Sequence, residues 1–199
     1  MVHRDARRAL IDSAVEVIAA RGVEAATTRE IYLRAGVKAP TLYHHFGDKR
    51  GLLDAVVTDS FERYLARKRT LPSTGDAAAD ARLGWDLHVE FAQTNPSLYQ
   101  LMWPAGRAEL PRAAVESGDG LRRGFEALES RGALRPGITA RQATRILSAA
   151  LSGVTAAITR DPEDPGNAGL SATVREAVID ALLVPRQRGG SVHQRKEEG

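Results

Sequence analysis

The sequence predicts an all-α fold of about nine helices, in which a short N-terminal unit with a helix-turn-helix precedes a larger helical body. Three observations carry this. Apolar residues recur at the i, i+3, i+4 spacing of one helix face along most of the chain. No stretch alternates apolar and polar residues for long between turn dipeptides, as a half-buried strand would. Glycine- and proline-rich breaks, LPSTGD (71–76), RGALRPG (131–137) and DPEDPGNAG (161–169), cut the body into helix-length pieces.

Taken in order, the first helix runs from about Arg4 to Arg21 on Leu10, Ala14, Val17 and Ile18, with Gly22 as its C-cap residue. Thr27 opens the second, and Glu30 three residues later completes a capping box, in which each side chain takes up a free backbone amide. This helix ends at Ala35, before Gly36. The third covers Ala39–Phe46, with Pro40 in the first turn, where a missing N–H has no consequence. Asp48 caps a fourth helix reaching about Arg69, with Leu52, Leu53, Val56, Val57, Phe61 and Leu65 as its apolar stripe. Further helices are expected at 77–94, 96–103, 111–130 (with Gly118 and Gly120 as candidate interruptions), 139–160 and 171–183. The residues from Pro185 onward lack an apolar pattern and are expected to be disordered. The domains are therefore read as 1–47, 48–184 and a tail at 185–199.

Composition narrows the function. The chain has no cysteine, which excludes disulfides, thiolate metal sites and cysteine nucleophiles and fits a reducing cytoplasm. It lacks the HExxH pattern, the common nucleotide-binding glycine loops and any His/carboxylate cluster at ligand spacing, so no enzyme activity, metal or cofactor is expected. No run of 18 apolar residues suggests a membrane span. Residues 1–50 hold nine Lys/Arg against six Asp/Glu, and the segment from Pro185 four against two, so the middle is slightly acidic. A basic end on a near-neutral body suits a module that meets phosphates; a solvated charged surface is the plainer alternative.

The stretch 27–46 can read DNA. Two short helices joined by a tight turn form a helix-turn-helix, and Gly36 adopts the left-handed turn conformation at low cost. Ile31, Ala35, Val37, Leu42 and Phe46 are spaced to form a small shared core. With Leu42 and Phe46 inward, Pro40 and His44 point away, and Thr41 and Tyr43 lie on the flanks. These four, with Lys38 and Ala39 at the helix start, make up the edge that would enter a major groove. His45 sits nearer the buried side and reads as structural. Thr28 and Arg29 lie at the second helix's N-terminus, where free amides favour a phosphate. Lys49 is a cation at the positive end of the fourth helix, which an external phosphate would explain.

These residues resemble the N-terminal signature of the TetR (tetracycline-repressor-like) family of bacterial regulators. Thr28, Ile31, Ala35, Gly36, Val37, Thr41, Leu42, Tyr43, His45, Phe46, Lys49 and Leu52–Leu53 carry the resemblance, over about a quarter of the chain. It implies a ligand-responsive DNA-binding transcriptional regulator, more often a repressor. Such a protein binds a pseudo-palindromic operator as a cytoplasmic homodimer and is released by a small-molecule effector. The alternatives are an activator of the same family and a helical ligand-binding protein without DNA binding. Tyr32, Lys38 and Arg50–Gly51 depart from the family pattern. Gly51 should lower helix propensity by about 1 kcal/mol and mark flexibility.

By resemblance, residues from about 48 onward form the ligand-binding and dimerisation domain. The eighth helix carries Ala143, Ile146, Leu147, Ala150, Val154 and Ala157 at helical spacing among many small residues, which suits packing on two sides. With Val174, Val178 and Leu182 of the ninth, it is read as the dimer interface; an intrachain core helix is the alternative. Trp85, His88, Phe91, Tyr99, Met102, Trp103 and Phe125 are candidates for a ligand pocket between the middle helices, or for ordinary core. An apolar or aromatic effector would fit them.

Overall fold

The computed structural model describes residues 2–104 and 112–185. Nine helices lie among them: α1 Val2–Ala25, α2 Thr28–Arg34, α3 Ala39–Phe46, α4 Lys49–Arg69, α5 Ala77–Thr94, α6 Pro96–Met102, α7 Arg112–Ser130, α8 Ala140–Arg160 and α9 Asn167–Leu182. The expected tail lies, past Pro185, outside the described residues, as does the expected α7 start at Pro111.

Local chemistry sets most boundaries. Asp48 Oδ1 accepts from the Gly51 amide at 2.8 Å and starts α4. Asp76 does the same for α5 through the Ala78 amide at 2.9 Å. Thr139 and Gln142 form a complete capping box on α8. At α2 only half of the expected box forms. Thr27 Oγ1 accepts from the Glu30 amide at 3.2 Å, while the Glu30 carboxylate turns to Arg21 at 3.1 Å. Gly22, at φ 77° and ψ 167°, is non-helical and divides α1 where its C-cap was expected, with a short helical stretch to Ala25 beyond it. Two other expectations need correction. Gly118 and Gly120 do not interrupt α7. Helix α9 begins at Asn167, four residues early. There Asn167 Nδ2 donates to the Asp161 carbonyl at 2.8 Å and pins the loop to the helix start.

Helix α1 packs against α2, α3, α4 and α6, so the N-terminal unit and the body share a core. Leu10, Ile31, Leu42, Leu52 and Phe61 are fully buried in one cluster with Met102 of α6. That cluster runs without a break across the expected boundary at 47/48. A second cluster joins Phe125 of α7 to Ala143 of α8 and Leu182 of α9, and a third joins Trp85 and Val89 of α5 to Val154 and Ile158 of α8. An isolated antiparallel bridge, Leu134 to Leu183, ties the loop after α7 to the end of α9.

The α3–α4 junction overturns the flexible reading of Gly51. A Cβ on this residue would overlap the Phe46 carbonyl oxygen. The residue therefore permits a close backbone approach, which holds the start of α4 against the end of α3. The two readings predict opposite signs. Gly51→Ala should destabilise the fold by about 1–3 kcal/mol through overpacking, where a merely flexible helical glycine would gain about 1 kcal/mol. Urea denaturation of the two proteins decides the sign.

Candidate nucleic-acid interface and ligand cavity

The turn between α2 and α3 is built by backbone bonds that the Gly36 conformation (φ 68°) makes possible. The Gly36 amide donates to Leu33 O at 3.1 Å and the Val37 amide to Tyr32 O at 3.0 Å. This sets α3 so that Leu42 is fully buried while Lys38, Pro40, Tyr43 and His44 are exposed. Ala39 and Thr41 are half-exposed beside them. Tyr43 shows half its surface (49%), so its phenol is accessible to a partner. Lys38 is the N-cap of α3 and its side chain makes no capping bond. On α2, Arg29 is exposed and Thr28 half-exposed. His45 is half-buried, with its ring 6.1 Å from that of Phe46.

Lys49 has a second explanation besides phosphate. Its Nζ donates to the Val23 carbonyl at 3.2 Å, part-buried, and so ties the start of α4 to the end of α1. Arg34 pairs with Glu16, and the Arg7 guanidinium lies 5.5 Å over the Phe46 ring. These contacts orient α2 and α3 on α1.

In the body, a cavity of about 1030 Å³ opens between α4, α5, α6, α7 and α8. Four of the seven expected pocket residues line it: Trp85, His88, Tyr99 and Trp103. The other three fill core instead. Met102 is fully buried in the core shared with α1. Phe91 packs beside that core, its ring 5.4 Å from Tyr64 and 6.2 Å from Trp103. Phe125 belongs to the α7–α9 cluster. Residue type alone does not say whether a ring borders a void or fills one.

Sequence reasoning missed Tyr64, Lys68, Thr155 and Arg160, which also line the cavity. Tyr64 and Lys68 stand four apart on α4, and so on one face, which was the available signal. Tyr64, His88, Tyr99 and Thr155 form a hydrogen-bonded relay. The Thr155 hydroxyl donates to the Leu151 carbonyl at 2.8 Å, so its oxygen accepts from Tyr99 Oη at 2.9 Å. Tyr99 then accepts from His88 Nε2 at 3.1 Å, which leaves His88 Nδ1 to accept from Tyr64 Oη at 3.0 Å. His88 is thus neutral, with its proton on Nε2. Burial pushes both phenols up, and burial followed by the Lys68 charge pushes His88 down to about 4.

A pH dependence follows. Against an ordinary histidine value near 6.5, unfolded His88 binds a proton that the folded residue refuses between about pH 6.5 and 4. The stability that His88 contributes should therefore fall as pH drops through that window, by about 3 kcal/mol at its foot, and that contribution should be flat above pH 7. Denaturation curves of the parent and His88→Gln at pH 7 and pH 4.5 check this. The variant should lose most of the slope.

The structure also corrects part of the expected dimer face. Ala143, Val154 and Leu182 are buried within the protomer, against the clusters built on Phe125 and Trp85. Leu147, Ala150, Ala157, Val174 and Val178 are half-buried, and only Ile146 of the expected set is exposed, at 39%. The face left open lies a step around each helix. It comprises Ile146, Ala149, Gly153 and Ala156 on α8 and Leu170, Thr173, Ala177 and Ala181 on α9.

The model of bacterial regulatory proteins of the tetR family matches residues 10–56. The class D tetracycline repressor protein of Escherichia coli is 35% identical over 71 residues, which are 36% of this chain and 32% of that one. The chain thus spans about a third of the length of the tetracycline repressor it matches. Among solved structures, a protein described under control of antibiotic production by bacterial hormones superimposes with a TM-score of 0.74. It has 23% identity and covers 89% of this chain and 97% of its own. TylP, a TetR regulator from Streptomyces fradiae, gives a TM-score of 0.66 at 20% identity, over 90% of this chain and 87% of its own. These two likenesses show the fold.

Proposed function

We propose that this chain, which belongs to the TetR family of bacterial regulators through its N-terminal domain, is a ligand-responsive transcriptional regulator. In this reading it is a repressor that binds a pseudo-palindromic operator as a homodimer and leaves it when a small molecule enters the body. One observation carries the reading. A single core joins the exposed edge of α3, through Leu42, Phe61 and Met102, to the α4 and α6 walls of the cavity. A ligand that displaces Tyr64 or Trp103 therefore pushes on the scaffold that aims α3.

Residues 1–47 serve as the reader and 48–184 as the sensor. Lys38, Ala39, Pro40, Thr41, Tyr43 and His44 meet the major groove. Thr28, Arg29 and Lys49 meet flanking phosphates, Lys49 with the protons its Val23 bond leaves free. The open face of α8 and α9 pairs with a second copy, and the two-fold axis sets the spacing of the half-sites. A coupling of about 1–3 kcal/mol between cavity and operator would give 5–150-fold release. No catalytic step is assigned. No helix among the described residues is long and apolar enough to cross a membrane, and the proposed place of action is the cytoplasm.

The test is selective enrichment of random duplex DNA on the purified protein, followed by binding to the enriched sequence with and without small molecules. A palindromic consensus whose affinity falls steeply with salt is expected. Failure to enrich any sequence would remove the DNA-binding reading.

A further inference from the structure

The cavity carries a charge pattern that its apolar walls do not explain. Trp85, Trp103, Leu121, Leu147 and Leu151 supply the apolar lining. The titratable and charged groups come from four helices: Tyr64 and Lys68 of α4, Asp80 and His88 of α5, Tyr99 of α6 and Arg160 of α8. Three of these are spent inside the relay. Each of its protons already has an acceptor, so it offers a ligand an acceptor at Tyr64 Oη and no free donor. Asp80 is spent in the loop before α5. Its Oδ1 accepts from the Thr74 amide and hydroxyl, both at 2.7 Å, and its Oδ2 from Ser73 at 3.3 Å.

Lys68 is not spent. Among the described residues no carboxylate lies within ion-pair range of it. It stands one helical turn beyond Tyr64, on the cavity wall. Its field reaches the relay, since its charge disfavours protonation of His88, and burial lowers its own pKa. A half-buried ammonium without a counter-ion is a standing desolvation cost, which an incoming anion relieves.

We propose that the cavity takes an organic anion, in which an aromatic or alicyclic body lies between Trp85 and Trp103 and one acidic group pairs with Lys68. The assignment rests on the ligand-responsive reading above and names its ligand class. The volume suits one molecule of drug-like size. Apolar contact supplies general affinity, and Lys68 supplies the preference for an anion over its neutral analogue.

Two fluorescent probes test this. They are 8-anilino-1-naphthalenesulfonate and N-phenyl-1-naphthylamine, which has the same rings without the sulfonate. The chain has two tryptophans, and both line the cavity, so energy transfer from tryptophan reports binding there. The sulfonate should bind about 10-fold more tightly than the neutral amine. Lys68→Met should abolish that preference while leaving the neutral probe's affinity unchanged, which also shows that the variant folds. Equal affinities in the parent protein overturn the proposal, as does a preference that survives Lys68→Met or follows Arg160→Met instead. In those cases the neutral probe still binds, and the ligand-responsive reading stands. If neither probe accepts energy from tryptophan, the cavity is no ligand site, and the proposal falls together with the effector half of the function.

Discussion

Phe61→Ala should lower the stability of the whole chain by about 3–5 kcal/mol, in a single transition. Phe61 is fully buried on α4, with its ring 4.7 Å from Trp103 and inclined at 65° to it. Its cluster includes Leu10 of α1, Ile31 of α2, Leu42 of α3 and Met102 of α6. A void there weakens packing in the N-terminal unit and the body together. Domains of this size hold about 5–15 kcal/mol in total, so the loss is a large share. Circular dichroism and tryptophan fluorescence should follow one urea curve. Phe61→Leu, which keeps most of the volume, should lose less than half as much. Two separated transitions, or a loss below about 1 kcal/mol, would mean that the two regions do not depend on a common core.

The shared core also explains what the sequence did and did not disclose. Boundaries set by local chemistry were legible. Asp48 before α4, Pro40 inside α3 and Gly36 in the turn each act on neighbours within a few residues. The exposed edge of α3 was legible for the same reason, because Leu42 and Phe46 fix the phase of an eight-residue helix. Facing on α8 was not. That helix is apolar or small around most of its circumference, so period alone cannot say which stripe meets Trp85 and Phe125 and which stays open. Tyr64, His88 and Thr155 come from α4, α5 and α8, and only the tertiary packing brings them into one relay. Gly51 misled because helix propensity treats a residue as isolated, whereas here the Phe46 carbonyl occupies the space of its missing side chain.

Operator binding should depend on Lys38 and Tyr43 far more than folding does. Both are exposed and lie on the edge of α3, so their substitution should change stability by no more than about 0.5 kcal/mol. Each acts twice in a dimer on a palindrome. The double variant Lys38→Ala, Tyr43→Ala should therefore bind the enriched operator about 100-fold more weakly at about 0.15 M salt, with a shallower salt dependence. Lys38 permits a sharper test, because its side chain makes no capping bond that a substitution would remove. A serine there would find no free amide to cap, since Pro40 has no N–H and the Thr41 amide already donates to the residue 38 carbonyl at 3.0 Å, so it should change stability by no more than about 0.5 kcal/mol. It also removes the charge. Lys38→Ser should thus yield a protein of nearly unchanged stability that grips DNA less firmly. The slope of log K against log salt should shrink in magnitude by about 1 for each phosphate that is no longer neutralised. Affinity falling while stability holds would separate a lysine kept for the partner from one kept for the helix. If the serine variant instead binds as tightly as the parent with an unchanged salt slope, Lys38 does not touch the phosphates, and the DNA-facing edge of α3 begins at Pro40.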